Sequence, residues 1–120
     1  MTHVLVVDDN ELVRYILERY LKAGGYRVSS AGSGIDAIAL CETAHVDVLI
    51  TDQNMPGMKG NALIAHARAR QPELRCILIS ADPIGVSNLP ANILCIEKPL
   101  SRTALIELVA AAGEGGSALC

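Results

Sequence analysis

Short apolar runs recur along this chain. Each is stopped by polar or turn-forming residues, and the gaps between them, save the one before the last run, carry helical spacing. His3 to Val7, Val46 to Ile50, Arg75 to Ile79 and Asn92 to Ile96 are such runs, and Tyr26 to Ser30 is a wetter, alternating one. A near-continuous apolar run fits a strand covered on both faces. Strands that alternate with helices build a parallel sheet with helices on both sides. Right-handed crossovers then bring the carboxyl end of every strand to one rim. The pattern therefore predicts an α/β, doubly wound, five-stranded parallel sheet.

The helical stretches have start and stop signals. Asn10 is a good N-cap for a helix whose inner stripe reads Leu12, Val13, Ile16, Leu17, Tyr20 and Leu21, closed by Gly24-Gly25. Ser33 with Asp36 resembles a capping box, and Ile35, Ile38 and Ala39 read as the buried stripe of the second helix. Asn61 to Arg70 forms the third, with Leu63, Ile64 and Ala67 inward and Arg68 and Arg70 where the helix dipole favours cations. Ala81 to Ala91 holds Pro83, Gly85 and Pro90 and has little periodicity, so a fourth helix is shortened or degenerate. Ser101 caps the last helix, with Leu105, Leu108, Val109 and Ala112 inward. The reading places one domain over residues 1–113 and a Gly- and Ser-rich flexible tail or linker stub over 114–120.

Composition narrows the function classes. The chain has 120 residues, enough for one core, and that core must be aliphatic because Phe and Trp are absent. A net charge of -3 with scattered basic residues leaves no footprint for nucleic acid. No apolar run approaches the roughly 20 residues that cross a bilayer, so no membrane insertion is expected. The first strand begins too early to leave room for a signal peptide, which points to a cytoplasmic protein. Cys41, Cys76, Cys95 and Cys120 form no CxxC, and His3, His45 and His66 complete no zinc spacing, so the cysteines read as reduced core residues.

The residues at the strand ends carry the chemistry. Asp8, Asp9, Asp52, Ser80 and Lys98 follow, or nearly follow, the last apolar residue of four different strands. A lone Asp at a strand end is ordinarily a cap or turn residue; it is the company that argues for a site. Three carboxylates in one crevice need compensating cations. The Lys98 ammonium and a hard, oxygen-ligated ion, Mg2+, supply them. Acidic cluster, magnesium, lysine and hydroxyl together make a phosphoryl site, in which a carboxylate can be the nucleophile.

These motifs resemble a known family. Val6-Val7-Asp8-Asp9-Asn10, Gly25-Tyr26 through Ala31 to Gly34, Asp52-Gln53-Asn54-Met55-Pro56-Gly57-Met58-Lys59-Gly60, Ser80-Ala81 and Lys98-Pro99-Leu100 occur in the order found in response-regulator receiver domains of two-component signalling, chemotaxis regulators among them. The resemblance implies a flavodoxin-like sheet of order 2-1-3-4-5 with its switch point between strands one and three. It implies that Asp52 is the phosphoacceptor, and that Asp9, with Asp8 close by and partly through water, holds Mg2+. The Asn54 backbone carbonyl would be a further ligand. Lys98 would pair with the phosphoryl group, Ser80 would be the switch hydroxyl, and Asn54 and Asp82 would adjust phosphate lifetime. The implied donor is a histidine kinase or histidine phosphotransfer protein. The implied enzymology is acceptance and hydrolysis of the chain's own aspartyl phosphate, with no separate substrate.

Two departures concern output. Cys95 stands where the family usually carries Tyr or Phe, and seventeen residues separate Ser80 from Lys98, about a helical turn fewer than usual. Output through the 80–91 loop is therefore expected to be atypical. The alternatives are a phosphorylation-independent interaction module and the receiver domain of a hybrid sensor histidine kinase. A phosphatase of the haloacid-dehalogenase type needs Asp-x-Asp with its nucleophile on the first strand and a cap domain, and neither is present.

Overall fold

A computed structural model of the chain describes residues 2–80, 93–97 and 101–113. The strands are β1 (His3–Val7), β2 (Arg27–Ala31), β3 (Val48–Asp52), β4 (Arg75–Ser80) and β5 (Ile93–Glu97). The helices are α1 (Glu11–Ala23), α2 (Gly34–Thr43), α3 (Gly60–Arg70) and α4 (Arg102–Gly113). The strands form one five-stranded sheet in the order β2-β1-β3-β4-β5, with every pairing parallel. The fold class and strand order are those expected. The stretch expected to hold a degenerate fourth helix, 81–91, and the 114–120 tail lie outside the described residues.

Strand alternation sorts the core into two layers. Leu5, Val7, Leu49, Cys76, Leu78 and Ile93 pack with Ala37 and Cys41 of α2 and Leu63, Ile64 and Ala67 of α3. Val4, Val6, Val48, Ile50, Ile77, Ile79 and Leu94 pack with Leu17 and Leu21 of α1 and Leu105 and Val109 of α4. Each fully buried Leu, Ile or Val contributes about 1.5–3 kcal/mol, and the aliphatic core suffices without Phe or Trp. The caps also follow the sequence. Asn10 Oδ1 accepts from the amides of Leu12 and Val13 at 3.0 and 3.2 Å, and Ser33 Oγ accepts from Asp36 N at 3.1 Å.

Two helix stripes differ from expectation. In α1, Val13, Leu17, Tyr20 and Leu21 face the core, while Leu12 and Ile16 are exposed. Ile16 lies about 100° and Leu12 about 140° round the helix from Leu17, outside the buried arc, so the apolar pattern is wider than the face it buries. In α2 the buried line is Gly34, Ala37 and Cys41, whereas Ile35 is 73% exposed and Ala39 also faces out. The small residues allow close approach. A Cβ on Gly34 would stand 2.8 Å from Met58 Sδ, so that helix end is held against the loop after β3.

The edge opposite the rim satisfies its own polar groups. Buried His3 has Nδ1 2.8 Å from the His45 carbonyl oxygen and Nε2 2.7 Å from Ser29 Oγ, and its amide donates to Asp47 Oδ2 at 2.8 Å. That amide bond, foremost, holds the Asp47 carboxyl below the ordinary carboxylate range. Gln71 donates to the carbonyls of Cys41 and Ala44 and accepts from Val46 N, tying α3 to the end of α2. Cys41 and Cys76 are free and buried, as expected, but Cys95 is disulfide-bonded rather than reduced.

Candidate functional site

Sheet register assembles the rim. Val7 stands opposite Thr51 in the β1–β3 ladder, so Asp8 is the next residue beyond Val7 and Asp52 the next beyond Thr51. Asp52 stands opposite Ile79, which puts Ser80 one residue further on. One carboxylate oxygen from each of Asp8, Asp9 and Asp52 lies within 4.8 Å of the others. Asp8 and Asp52 are buried, and Asp9 is exposed. Two ionised carboxylates at such a separation repel by about 3 kcal/mol at an effective dielectric of 20. A cation among them would offset that repulsion. An all-oxygen, partly open donor set fits a hard divalent ion that keeps some of its waters.

The loop around Asp8 is tightly held. Asp8 N donates to the Ala31 carbonyl at 3.3 Å, which extends the β1–β2 ladder by one residue. Asp8 Oδ1 accepts from Asn10 N at 2.8 Å. Arg14 Nη1, reaching back from α1, donates to the Asp8 carbonyl at 2.8 Å. Sequence reasoning passed over Arg14, although an Arg one helical turn inside an N-terminus can reach the strand end before it.

The segment after Asp52 turns sharply. Gly57 adopts φ +84°, a left-handed conformation that glycine takes without strain. Met55 is buried and plugs the turn. Lys59 occupies the N-cap position of α3 without a side-chain cap bond. Gln53 caps the helix instead: its Oε1 accepts from Asn61 N at 2.8 Å and its Nε2 donates to Asn61 Oδ1 at 3.1 Å. Gln53 was also missed, because its helix partner lies eight residues away and no local capping pattern announces it. A Cβ on Gly60 would collide with the Asp52 carbonyl and stand 2.8 Å from Leu78 Cδ1, so only glycine lets α3 start this close to the site.

The remaining expected residues divide. Ser80 is buried at the end of β4, in register with Glu97 of β5. Asn54 is exposed beside the rim, with Lys59 Nζ 3.5 Å from its Oδ1. Lys98 and Asp82 lie outside the described residues, so the lysine expected at this rim is placed only by its position directly after β5. Cys95 is partly buried and packs on the Leu78 layer, with Leu94 and Ile96 on the other face, as strand alternation requires. Among the described residues no helix is long and apolar enough to cross a membrane.

Comparison with known proteins agrees with this geometry. The family model described as "Response regulator receiver domain" matches residues 4–110. The sensor kinase CckA of Brucella abortus is 36% identical over 93 residues, covering 74% of this chain but only 10% of CckA. The crystal structure of the receiver domain of the hybrid histidine kinase CckA has a TM-score of 0.81 at 30% identity, covering 92% of this chain and 98% of that one. The response regulator TrrA of Thermotoga maritima, solved in complex with Mg(2+)-BeF, has a TM-score of 0.84 at 28% identity, covering 93% of this chain and 99% of that one.

Proposed function

Because this chain belongs to the response regulator receiver domain family of two-component signalling, we propose that it is a phosphorelay switch whose acceptor is Asp52. The observation that carries the reading is the meeting of the Asp8, Asp9 and Asp52 carboxylates at the ends of adjacent strands β1 and β3. Asp8 and Asp9, with the Asn54 backbone carbonyl and one oxygen of Asp52, would hold Mg2+. When bound, the ion neutralises charge on the carboxylates and on the transferring phosphoryl group.

An Asp52 carboxylate oxygen attacks the phosphorus of a phosphohistidine on a histidine kinase or histidine phosphotransfer protein. The O–P bond forms as the N–P bond breaks. The donor ring carries a proton on its other nitrogen, so the nitrogen that takes the N–P electron pair leaves as neutral imidazole. The Ser80 hydroxyl donates to one phosphoryl oxygen and the Lys98 ammonium pairs with another. Hydrolysis of the resulting aspartyl phosphate resets the switch, and no separate substrate is required. The face beside the rim suits a helical donor. Leu12 and Tyr15, 66% and 52% exposed, project from α1 directly after the Asp8-Asp9-Asn10 loop, and Arg19 lies 5.7 Å from the Tyr15 ring centre.

The domain is taken to span 1–113, with 114–120 as tail or linker. A second reading shares the same chemistry. The likeness to the CckA receiver, a small part of that kinase, also fits a receiver carried within a hybrid sensor kinase, and the reading frame around this sequence decides between the two. The phosphorelay reading is tested by radiolabel transfer from acetyl phosphate or phosphoramidate with Mg2+ present. Wild type is expected to label and Asp52→Asn to remain unlabelled. Stoichiometric label on Asp52→Asn, or none on wild type, would overturn the assignment and leave a phosphorylation-independent interaction module.

A further inference from the structure

We infer that Arg14 is a positioning residue for the acidic site, one that sets the peptide joining Asp8 to Asp9 and thereby the magnesium affinity. The inference rests on the magnesium-dependent reading above. Arg14 Nη1 donates to the Asp8 carbonyl oxygen at 2.8 Å. That oxygen belongs to the Asp8–Asp9 peptide, which is planar. Fixing it fixes the direction in which the chain enters Asp9, and so where the Asp9 carboxylate can reach. The other two bonds at this corner, Asp8 N to Ala31 O and Asn10 N to Asp8 Oδ1, hold Asp8 from its other sides. The first leaves that peptide plane free, and the second closes a ring through it without touching its carbonyl oxygen. Arg14 grips that oxygen directly, from a helix whose own start follows the loop.

The chain also leaves space for the guanidinium. A Cβ on Gly32 would lie 3.1 Å from Arg14 Nη1 and 3.7 Å from its Cζ, so the charged group rests over a bare backbone at the end of β2. Its fork thus bridges the ends of β1 and β2 at the base of the acidic loop. Among the described residues Arg14 forms no side-chain ion pair, so its permanent charge is spent on a carbonyl beside three carboxylates. A guanidinium used only for solubility would not be drawn back over the strand ends. Lysine could reach the carbonyl with one donor but lacks the planar guanidinium whose Nη1 end sits against Gly32.

The experiment follows amide chemical shifts of Asp8, Asp9 and Gly32, first in metal-free protein and then through a titration with magnesium chloride. Arg14→Met keeps the stem and removes the donors. It is expected to keep its metal-free melting temperature within a few degrees, to shift the Asp9 amide before any metal is added, and to bind magnesium about tenfold more weakly. Labelling at saturating magnesium should approach wild type, because the metal affinity and not the transfer step is impaired. Arg14→Lys should recover part of the affinity. Gly32→Ala, which keeps the charge but pushes the guanidinium aside, should weaken binding in the same direction and decides the matter if Arg14→Met does not fold. Unchanged magnesium affinity in a folded Arg14→Met, or in Gly32→Ala when the first variant fails to fold, would overturn the inference. A wild type that binds no magnesium would instead sink the reading on which it rests.

Discussion

Gly60→Ala tests whether the start of α3 is braced against Asp52, the proposed phosphoacceptor. Gly60 N donates to the Gln53 carbonyl at 3.0 Å, so the first turn of α3 is bonded to the residue after Asp52. A Cβ at position 60 would meet the Asp52 carbonyl oxygen, Leu78 Cδ1 at 2.8 Å and Gln53 Cα at 3.0 Å. Two of these three neighbours are backbone at and just past the end of the central strand and cannot swing away as a side chain can. Either α3 backs off or the end of β3 moves. Overpacking of this kind costs about 1–3 kcal/mol, a sizeable part of a domain stability of roughly 5–15 kcal/mol. With a urea m-value of about 1.5 kcal/mol/M, a loss near 2 kcal/mol lowers the midpoint by about 1.3 M. Far-UV circular dichroism is the proper probe, since the chain has no Trp. The displaced Asp52 backbone should also slow labelling in molecules that remain folded. A Gly60→Ala midpoint equal to wild type would refute the close packing, and a lowered midpoint with normal labelling would refute its coupling to Asp52.

Asp9→Ala is expected to keep the fold, because its side chain is exposed, and to weaken magnesium binding and labelling; full labelling of wild type in excess chelator would contradict this. Burial pushes the Cys76 thiol from 9.0 up to about 11. The folded state thus holds that proton more tightly than the unfolded one. Stability is unaffected below pH 9 and falls by about 2–3 kcal/mol as pH rises towards 11. Cys76→Ala should flatten that slope in urea titrations at alkaline pH. Beryllofluoride should shift backbone amides of residues 80–91 more than those of 93–96, because Cys95 is too small to fill the space that a moving Ser80 vacates; equal or larger shifts on β5 would overturn that view.

What the sequence made legible follows from which signals are local. Strand runs and the rim residues at strand ends depend on period and on fixed chirality, so Asp8, Asp9, Asp52 and Ser80 were found at the places where the strands end; the strand order came from the family resemblance alone. The α1 and α2 stripes were misjudged for a different reason. Periodicity reports a helix face only to within a neighbouring row, and large side chains draw attention away from small ones. Ile35 read as core and Gly34 did not, yet Gly34 is the residue pressed on Met58. Gln53 and Arg14 act through long side chains on partners set by the tertiary fold. No spacing in the sequence announces the Gln53 contact, and the place of Arg14 one turn into α1 permits its contact without specifying it.

Anchoring also divides the work among the three carboxylates. Asp52 ends β3, which has paired neighbours on both sides, and its backbone is further walled by Gly60. A backbone held on these sides suits the proposed acceptor, which must form a bond at a fixed angle. Asp8 is buried too, and its carboxylate accepts the Asn10 amide, which suits the proposed role of a fixed charge facing the metal. Asp9 is the exposed member and stands at the mouth, where an ion can arrive with its waters. Modification of Asp52 would therefore press on two neighbours: α3, through the contact at Gly60, and the end of β4, through the register that sets Ile79 beside Asp52 and Ser80 next. A signal passed on by packing through these contacts would first move one of them.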